Sequence, residues 1–175
     1  AAYKLLEINE KDQLIKPGTV LVDLGSAPGS WSQVAADLVG KNGAVFALDI
    51  LPMDPIAGVS FIQGDFRENE VLAEFEALLN NRELDLVICD MAPNMSGMTA
   101  VDQPRAMYLC ELTREFADQH LKTGGNLLLK MFHGQGFDAF IQDLRVRYAK
   151  VQIRKPKASR NRSPEVYALA TGKRA

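Results

Sequence analysis

A doubly wound α/β fold on a mostly parallel sheet is the architecture this sequence predicts. Three observations carry it: short apolar runs alternate with helical periodicity, the runs are apolar at consecutive positions, and the first of them ends in a glycine-rich turn. Residues 20–24, 44–50, 84–89 and 126–132 are runs of that kind, typical of strands buried on both faces, and residues 59–62 add a shorter one. Helical spacing fills the intervals, with Trp31, Val34, Ala35, Leu38 and Val39, then Leu72, Phe75 and Leu79, then Leu109, Leu112 and Phe116, then Phe137, Phe140, Ile141 and Leu144. Gly40, Asn42-Gly43 and Gly124-Gly125 stand where helices are expected to stop, and Asp102 and Pro104 where one is expected to start, after a loop at 94–97. Residues 150–154 alternate and 165–170 form another strand-like run, so the sheet is expected to end in two strands joined across a polar loop.

A chain of 175 residues with 47% hydrophobic content suits a single domain spanning 1–175, opening at Ala1 in mid-pattern as though further residues preceded it. Cys89 lies in an apolar run and Cys110 in a helical pattern, the usage of reduced core thiols in a cytoplasmic protein. His120 and His133, the only histidines, are thirteen apart with no cysteine spacing beside them, so no metal site is expected. No apolar run reaches the roughly 18 residues that signal a membrane-spanning helix.

Charge is unevenly placed. Residues 145–175 hold ten of the twenty Lys and Arg and one of the twenty-two acids, a tail of +9 on a body of −11. Such asymmetry fits a protein that grips a polyanion at one end, and Arg154, Lys155, Lys157, Arg160 and Arg162 concentrate five of the charges in one loop-like stretch expected to contact nucleic-acid phosphates.

The turn is Asp23-Leu24-Gly25-Ser26-Ala27-Pro28-Gly29-Ser30-Trp31, a strand running into a helix N-terminus where free N–H groups favour a nucleotide-like ligand. Its G-x-x-x-G spacing departs from the dinucleotide fingerprint G-x-G-x-x-G, which argues against a nicotinamide oxidoreductase. No Lys-Ser/Thr follows as in a P-loop, and S-adenosylmethionine is left as the leading ligand. In such a sheet the ligand lies over the carboxyl ends of the strands. Asp49, twenty residues after Gly29, is placed to accept hydrogen bonds from ribose hydroxyls, and Asp65 from an adenine amino group. Lys130 puts an ammonium into an apolar central strand and needs a partner, which Asp90 at the end of the neighbouring strand supplies.

Taken together, Ala2-Tyr3-Lys4-Leu5-Leu6-Glu7-Ile8, the glycine turn, Asp90-Met91-Ala92-Pro93-Asn94 and Ser163-Pro164-Glu165-Val166-Tyr167 resemble the RrmJ/FtsJ-type ribosomal RNA 2′-O-methyltransferases over nearly the whole chain. The resemblance implies a Rossmann-like, seven-stranded sheet with its last strand antiparallel, S-adenosyl-L-methionine as cofactor, and a Lys-Asp-Lys-Glu tetrad falling on Lys4, Asp90, Lys130 and Glu165. It likewise implies cofactor contacts at Gly29, Trp31, Asp49, Asp65 and Asp90. The substrate it implies is a uridine of large-subunit ribosomal RNA within the ribosomal particle, met by a monomer. Transfer RNA or an mRNA cap as substrate, and a non-catalytic ribosome-assembly role, are the alternatives. Lys130 is the expected base, with Asp90 and Glu165 orienting it and Lys4. The sequence departs from the family's pattern in lacking a basic extension before Tyr3-Lys4 and in its low net charge.

Overall fold

The computed structural model describes residues 2–157, 159 and 163–175. The chain opens with α1 (Ala2–Asp12) and continues through β1 (Val20–Leu24), α2 (Ser30–Val39), β2 (Ala44–Asp49), β3 (Val59–Gln63), α3 (Asn69–Leu79) and β4 (Leu84–Cys89). It then runs through α4 (Thr99–His120), β5 (Leu121–Phe132), α5 (Phe137–Arg147), β6 (Tyr148–Arg154) and β7 (Glu165–Lys173). The strands form one seven-stranded sheet in the order β3-β2-β1-β4-β5-β7-β6. Pairs from β3 to β5 are parallel, and β7 runs antiparallel to both β5 and β6.

Consecutive residues of a strand point to opposite faces, and both faces here are covered. On one face Val22, Val87, Leu127 and Leu129 pack under Phe75, Phe116 and Phe140 of α3, α4 and α5. On the other, Leu21, Val45, Ile88 and Leu128 pack under Leu5, Ile8, Trp31 and Ala35 of α1 and α2. That two-sided burial is why the central strands read as unbroken apolar runs.

Beyond shifts of one to three residues at strand ends, the elements depart from the sequence-based expectation in three places. α1 was not anticipated; it buries Leu5, Ile8 and Asn9, an i, i+3, i+4 stripe, against the sheet. α4 starts at Thr99, with Pro104 inside it and Asp102 in its first turn, and the Asp102 carboxylate accepts from Ser96 N, Ser96 Oγ and Gly97 N at 2.9, 2.7 and 3.1 Å. The acid fastens the preceding loop to the helix. Gly124-Gly125 does not end a helix but lies within β5, because Leu121 already pairs with Leu84 and a register shift between Leu84 and Leu86 absorbs the intervening residues. No helix among the described residues is long and apolar enough to cross a membrane.

Candidate active site

The glycine turn lies at the carboxyl end of β1, tied to its neighbour by Gly25 N and Ser26 N donating to Leu48 O at 2.8 and 3.2 Å. Gly25 has φ of +68°, and a Cβ there would lie 2.0 Å from Met91 Cγ; Gly29 has φ of +117°, with Ile56 Cδ1 2.6 Å from where its Cβ would be. Both positions require glycine on conformational and steric grounds. Gly29 is the N-cap of α2, and no side chain caps that helix. An open cleft of about 840 Å³ runs from Gly25 and Ala27 past Asp49 to Asp90 and the 91–94 segment, and a narrower one of about 180 Å³ leads on to Asp65.

Of the residues expected around the cofactor, Asp49, Asp65 and Asp90 line these two clefts, while Gly29, which lines neither, faces Met53 and Ile56. Asp49 Oδ2 accepts from Ala27 N and Oδ1 from Leu51 N, both at 2.9 Å, so the carboxylate also braces the turn. Trp31 is buried, its ring 5.6 Å from that of Tyr167, and therefore packs inside the protein rather than lining the cleft as an open platform. Sequence reasoning did not single out Asp23. It is buried on β1, accepts from Ser32 Oγ at 2.7 Å, and has its pKa raised to about 7, chiefly by burial, with the charges of Asp90 and Asp49 adding to the rise and the Ser32 hydrogen bond opposing it.

Beyond Asp90 the geometry tightens. Leu129 pairs with Cys89 on β4 and Lys130 stands opposite Tyr167 on β7, so the Lys130 side chain is flanked by Asp90 and the first residues of β7. Lys130 Nζ lies 3.2 Å from Asp90 Oδ1 and 3.6 Å from Glu165 Oε2, while Lys4 Nζ donates to Glu165 Oε1 at 2.7 Å. The four side chains come from α1, β5, β7 and the residue after β4, and their formal charges cancel. A compact neutral set is what makes two ammonium groups tolerable at 19% and 12% side-chain exposure. Burial alone would raise the pKa of Glu165, but the Lys4 hydrogen bond and the Lys130 charge outweigh it and hold the carboxyl below its ordinary value.

Tyr167, which the sequence analysis names only within the Ser163–Tyr167 motif, joins this set. Fully buried, it donates its hydroxyl to Asp90 Oδ1 at 2.6 Å with Glu165 Oε1 at 3.3 Å, bridging the two carboxylates. Its pKa is driven up, first by burial and then by Asp90, so the phenol stays a donor. Its register opposite Lys130 depends on the strand order, which no local signal reveals. Tyr167→Phe keeps the packed ring and removes only this bridge. A loss of about tenfold in single-turnover methyl transfer is expected, the size of one hydrogen bond to a charged group.

A profile of the FtsJ-like methyltransferase family matches residues 1–173. The chain belongs to the FtsJ-like methyltransferases. It is 71% identical over 174 residues to the ribosomal RNA large subunit methyltransferase E of Neisseria meningitidis, covering 99% of this chain and 84% of that protein. The protein of the same name from Chromobacterium violaceum is 65% identical over 174 residues, covering 99% of this chain and 85% of the other. Among solved structures, a Plasmodium falciparum protein described as a ribosomal RNA methyltransferase superposes with a TM-score of 0.89 at 27% identity, covering 99% of this chain and 96% of that one. The FtsJ-like fold therefore accounts for the whole sheet, including the antiparallel β7 that carries Glu165 and Tyr167.

The basic stretch is arranged differently from its sequence appearance. Arg154 is paired with Asp12 through Nη2 to Oδ1 at 2.8 Å and Nε to Oδ2 at 2.9 Å. The Lys155 ammonium donates to the carbonyls of Ser163, at 2.8 Å, and Glu165. Arg154 thus ties the end of β6 to α1, and Lys155 ties it to the start of β7. Lys157 gives its backbone N–H to Glu7, leaving its side chain at the rim of a groove of about 610 Å³ between α1 and residues 153–157. Arg160 and Arg162 lie outside the described residues.

Proposed function

We propose that the chain is an S-adenosylmethionine-dependent ribosomal RNA 2′-O-ribose methyltransferase that acts as a monomer on a uridine of the large-subunit RNA within the ribosomal particle. The observation that carries this is the convergence of Lys4, Asp90, Lys130 and Glu165 beside the glycine turn. Two lysine amines locked by two carboxylates suit a reaction in which a hydroxyl must be held by one and deprotonated by the other in its neutral form, and the names of the relatives supply the RNA.

The cleft fits such a cofactor. Ser26 Oγ, within the turn, is a buried hydroxyl with no hydrogen-bond partner among the described residues, a donor and acceptor expected to find one when a polar ligand occupies the turn. Gly29 and the α2 N-terminus would meet the ligand's anionic end, Asp49 its ribose and Asp65 its base. When bound, the cofactor supplies an electrophilic methyl on a sulfonium. Lys130 would first release its ammonium proton to solvent; as the free amine it would take the proton of the ribose 2′-hydroxyl as that oxygen gains the methyl and the sulfonium is left as a neutral thioether, while Lys4, kept as an ammonium by Glu165, would donate a hydrogen bond to the same oxygen. Asp90, Glu165 and Tyr167 fix the two amines so that the hydroxyl meets the methyl in near-attack geometry.

RNA would cross the same edge of the sheet. Lys157, together with Arg160 and Arg162, is the phosphate contact, while Arg154 and Lys155 are engaged with Asp12 and with the carbonyls of Ser163 and Glu165. The deciding experiment is transfer of labelled methyl from S-adenosylmethionine to total RNA and to isolated ribosomal particles, with the modified nucleotide mapped. Label on a ribose 2′-oxygen of a large-subunit uridine is expected, and label on a base or on protein would overturn the assignment.

A further inference from the structure

At the far end of the cleft, Asp65 is not free. Arg67 approaches it from the same turn and grips both oxygens: Oδ1 accepts the Arg67 backbone N–H at 2.9 Å and Nε at 3.0 Å, and Oδ2 accepts Nε at 3.0 Å and Nη2 at 2.6 Å. The remaining guanidinium nitrogen, Nη1, donates to the Tyr108 hydroxyl on α4 at 3.0 Å. One side chain therefore joins the β3–α3 turn to a helix far along the chain, across the mouth of the 180 Å³ recess, with Tyr108 also lining the larger cleft. Arg67 and Tyr108 are partly exposed, at 53% for the Arg67 side chain and 46% for Tyr108, so neither is needed to fill the core.

We propose that Arg67, braced by Tyr108, is the positioning residue that makes the recess selective for an amino-bearing purine. The inference rests on the assignment of Asp65 to the cofactor's base. A carboxylate is acceptor-only, so it attracts an exocyclic amino group and repels a carbonyl at the same place. It can discriminate between the two only if it is ionised and cannot turn away. The fork of Arg67 meets both requirements: the bidentate grip fixes the plane of the carboxylate, and the hydrogen bonds from Arg67 hold its pKa below the ordinary value against the small effect of burial. A lysine would supply charge without the fork. Tyr108 keeps the guanidinium from swinging out to solvent.

The test is calorimetric titration with S-adenosylhomocysteine and with its deaminated analogue S-inosylhomocysteine, which carries a carbonyl in place of the amino group. The unsubstituted protein is expected to prefer the adenine compound. Arg67→Ala is expected to bind it about tenfold more weakly and to lose most of the preference, with Tyr108→Phe falling between the two. Arg67→Lys should behave like Arg67→Ala in preference, and it carries the test should the alanine variant not fold. Affinity that rises in Arg67→Ala would show that Arg67 competes with the base for Asp65 and would overturn the proposal; an undiminished preference would do the same. Asp65→Asn separates the layers. If that change leaves the preference intact, the assignment of Asp65 to the base fails; if it abolishes the preference while Arg67→Lys and Tyr108→Phe keep it, only the role of Arg67 fails.

Discussion

Replacing Lys130 with alanine is expected to lower methyl transfer by about 10³-fold while S-adenosylmethionine affinity stays close to that of the unsubstituted protein. Of the residues expected around the cofactor Lys130 touches Asp90, whose carboxylate the Tyr167 hydroxyl still holds once the lysine is gone, and its other partner is Glu165, outside that set. Lys130→Arg sharpens the test. Arginine keeps the positive charge between the two carboxylates and protects the fold, yet it cannot give up its proton in a protein. If Lys130 acts as the base, the arginine variant is as inactive as the alanine one. If it served only as a fixed positive charge, the arginine variant would retain much of the rate. Single-turnover transfer at saturating cofactor, with binding measured separately, distinguishes these outcomes.

Asp23→Asn is expected to change how stability depends on pH. In the folded protein this acid has a pKa of about 7 against an ordinary value of 3.8, so between those values the folded state holds a proton that the unfolded state has released. Stability then falls as pH rises through that window and levels off above it, by about 4 kcal/mol over the full shift. Asparagine does not titrate there and still offers an oxygen to Ser32 Oγ. Denaturant melts should show the variant gaining on the unsubstituted protein from pH 4 to pH 7, with no further gain above. A difference that is flat across this range would show that burial does not force Asp23 to retain its proton.

The strands were legible because burial on both faces leaves an unmistakable sequence mark: residues 20–24 and 84–89 needed no adjustment. The rim acids were legible for a related reason, since a polar residue directly after an apolar run has few places to be. Lys130 with Asp90 followed from adjacency of strands, and their 3.2 Å separation agrees with it. Other features depend on partners distant in sequence. Arg154 looked like a free cation in a basic stretch, but Asp12, 142 residues away, holds it. The insertion of β7 between β5 and β6 brings Tyr167 opposite Lys130, and nothing in the spacing of either strand announces that order. Arg67 was not singled out in the sequence, and its link to Tyr108 depends on how α4 crosses the sheet end.

The Lys4–Glu165 contact joins residues 161 positions apart, and Arg154 with Asp12 and Lys157 with Glu7 fasten the same two regions together. Every group assigned to the cofactor's ribose and base belongs to the first 65 residues, whereas the proton-handling quartet is complete only when β7 has docked beside β5. A nascent polypeptide that had emerged through α4, whose Tyr108, Leu109 and Leu112 complete the recess, would therefore be able to shape its ligand site yet remain chemically silent. Competence arrives in one late step, when the opening helix meets the closing hairpin.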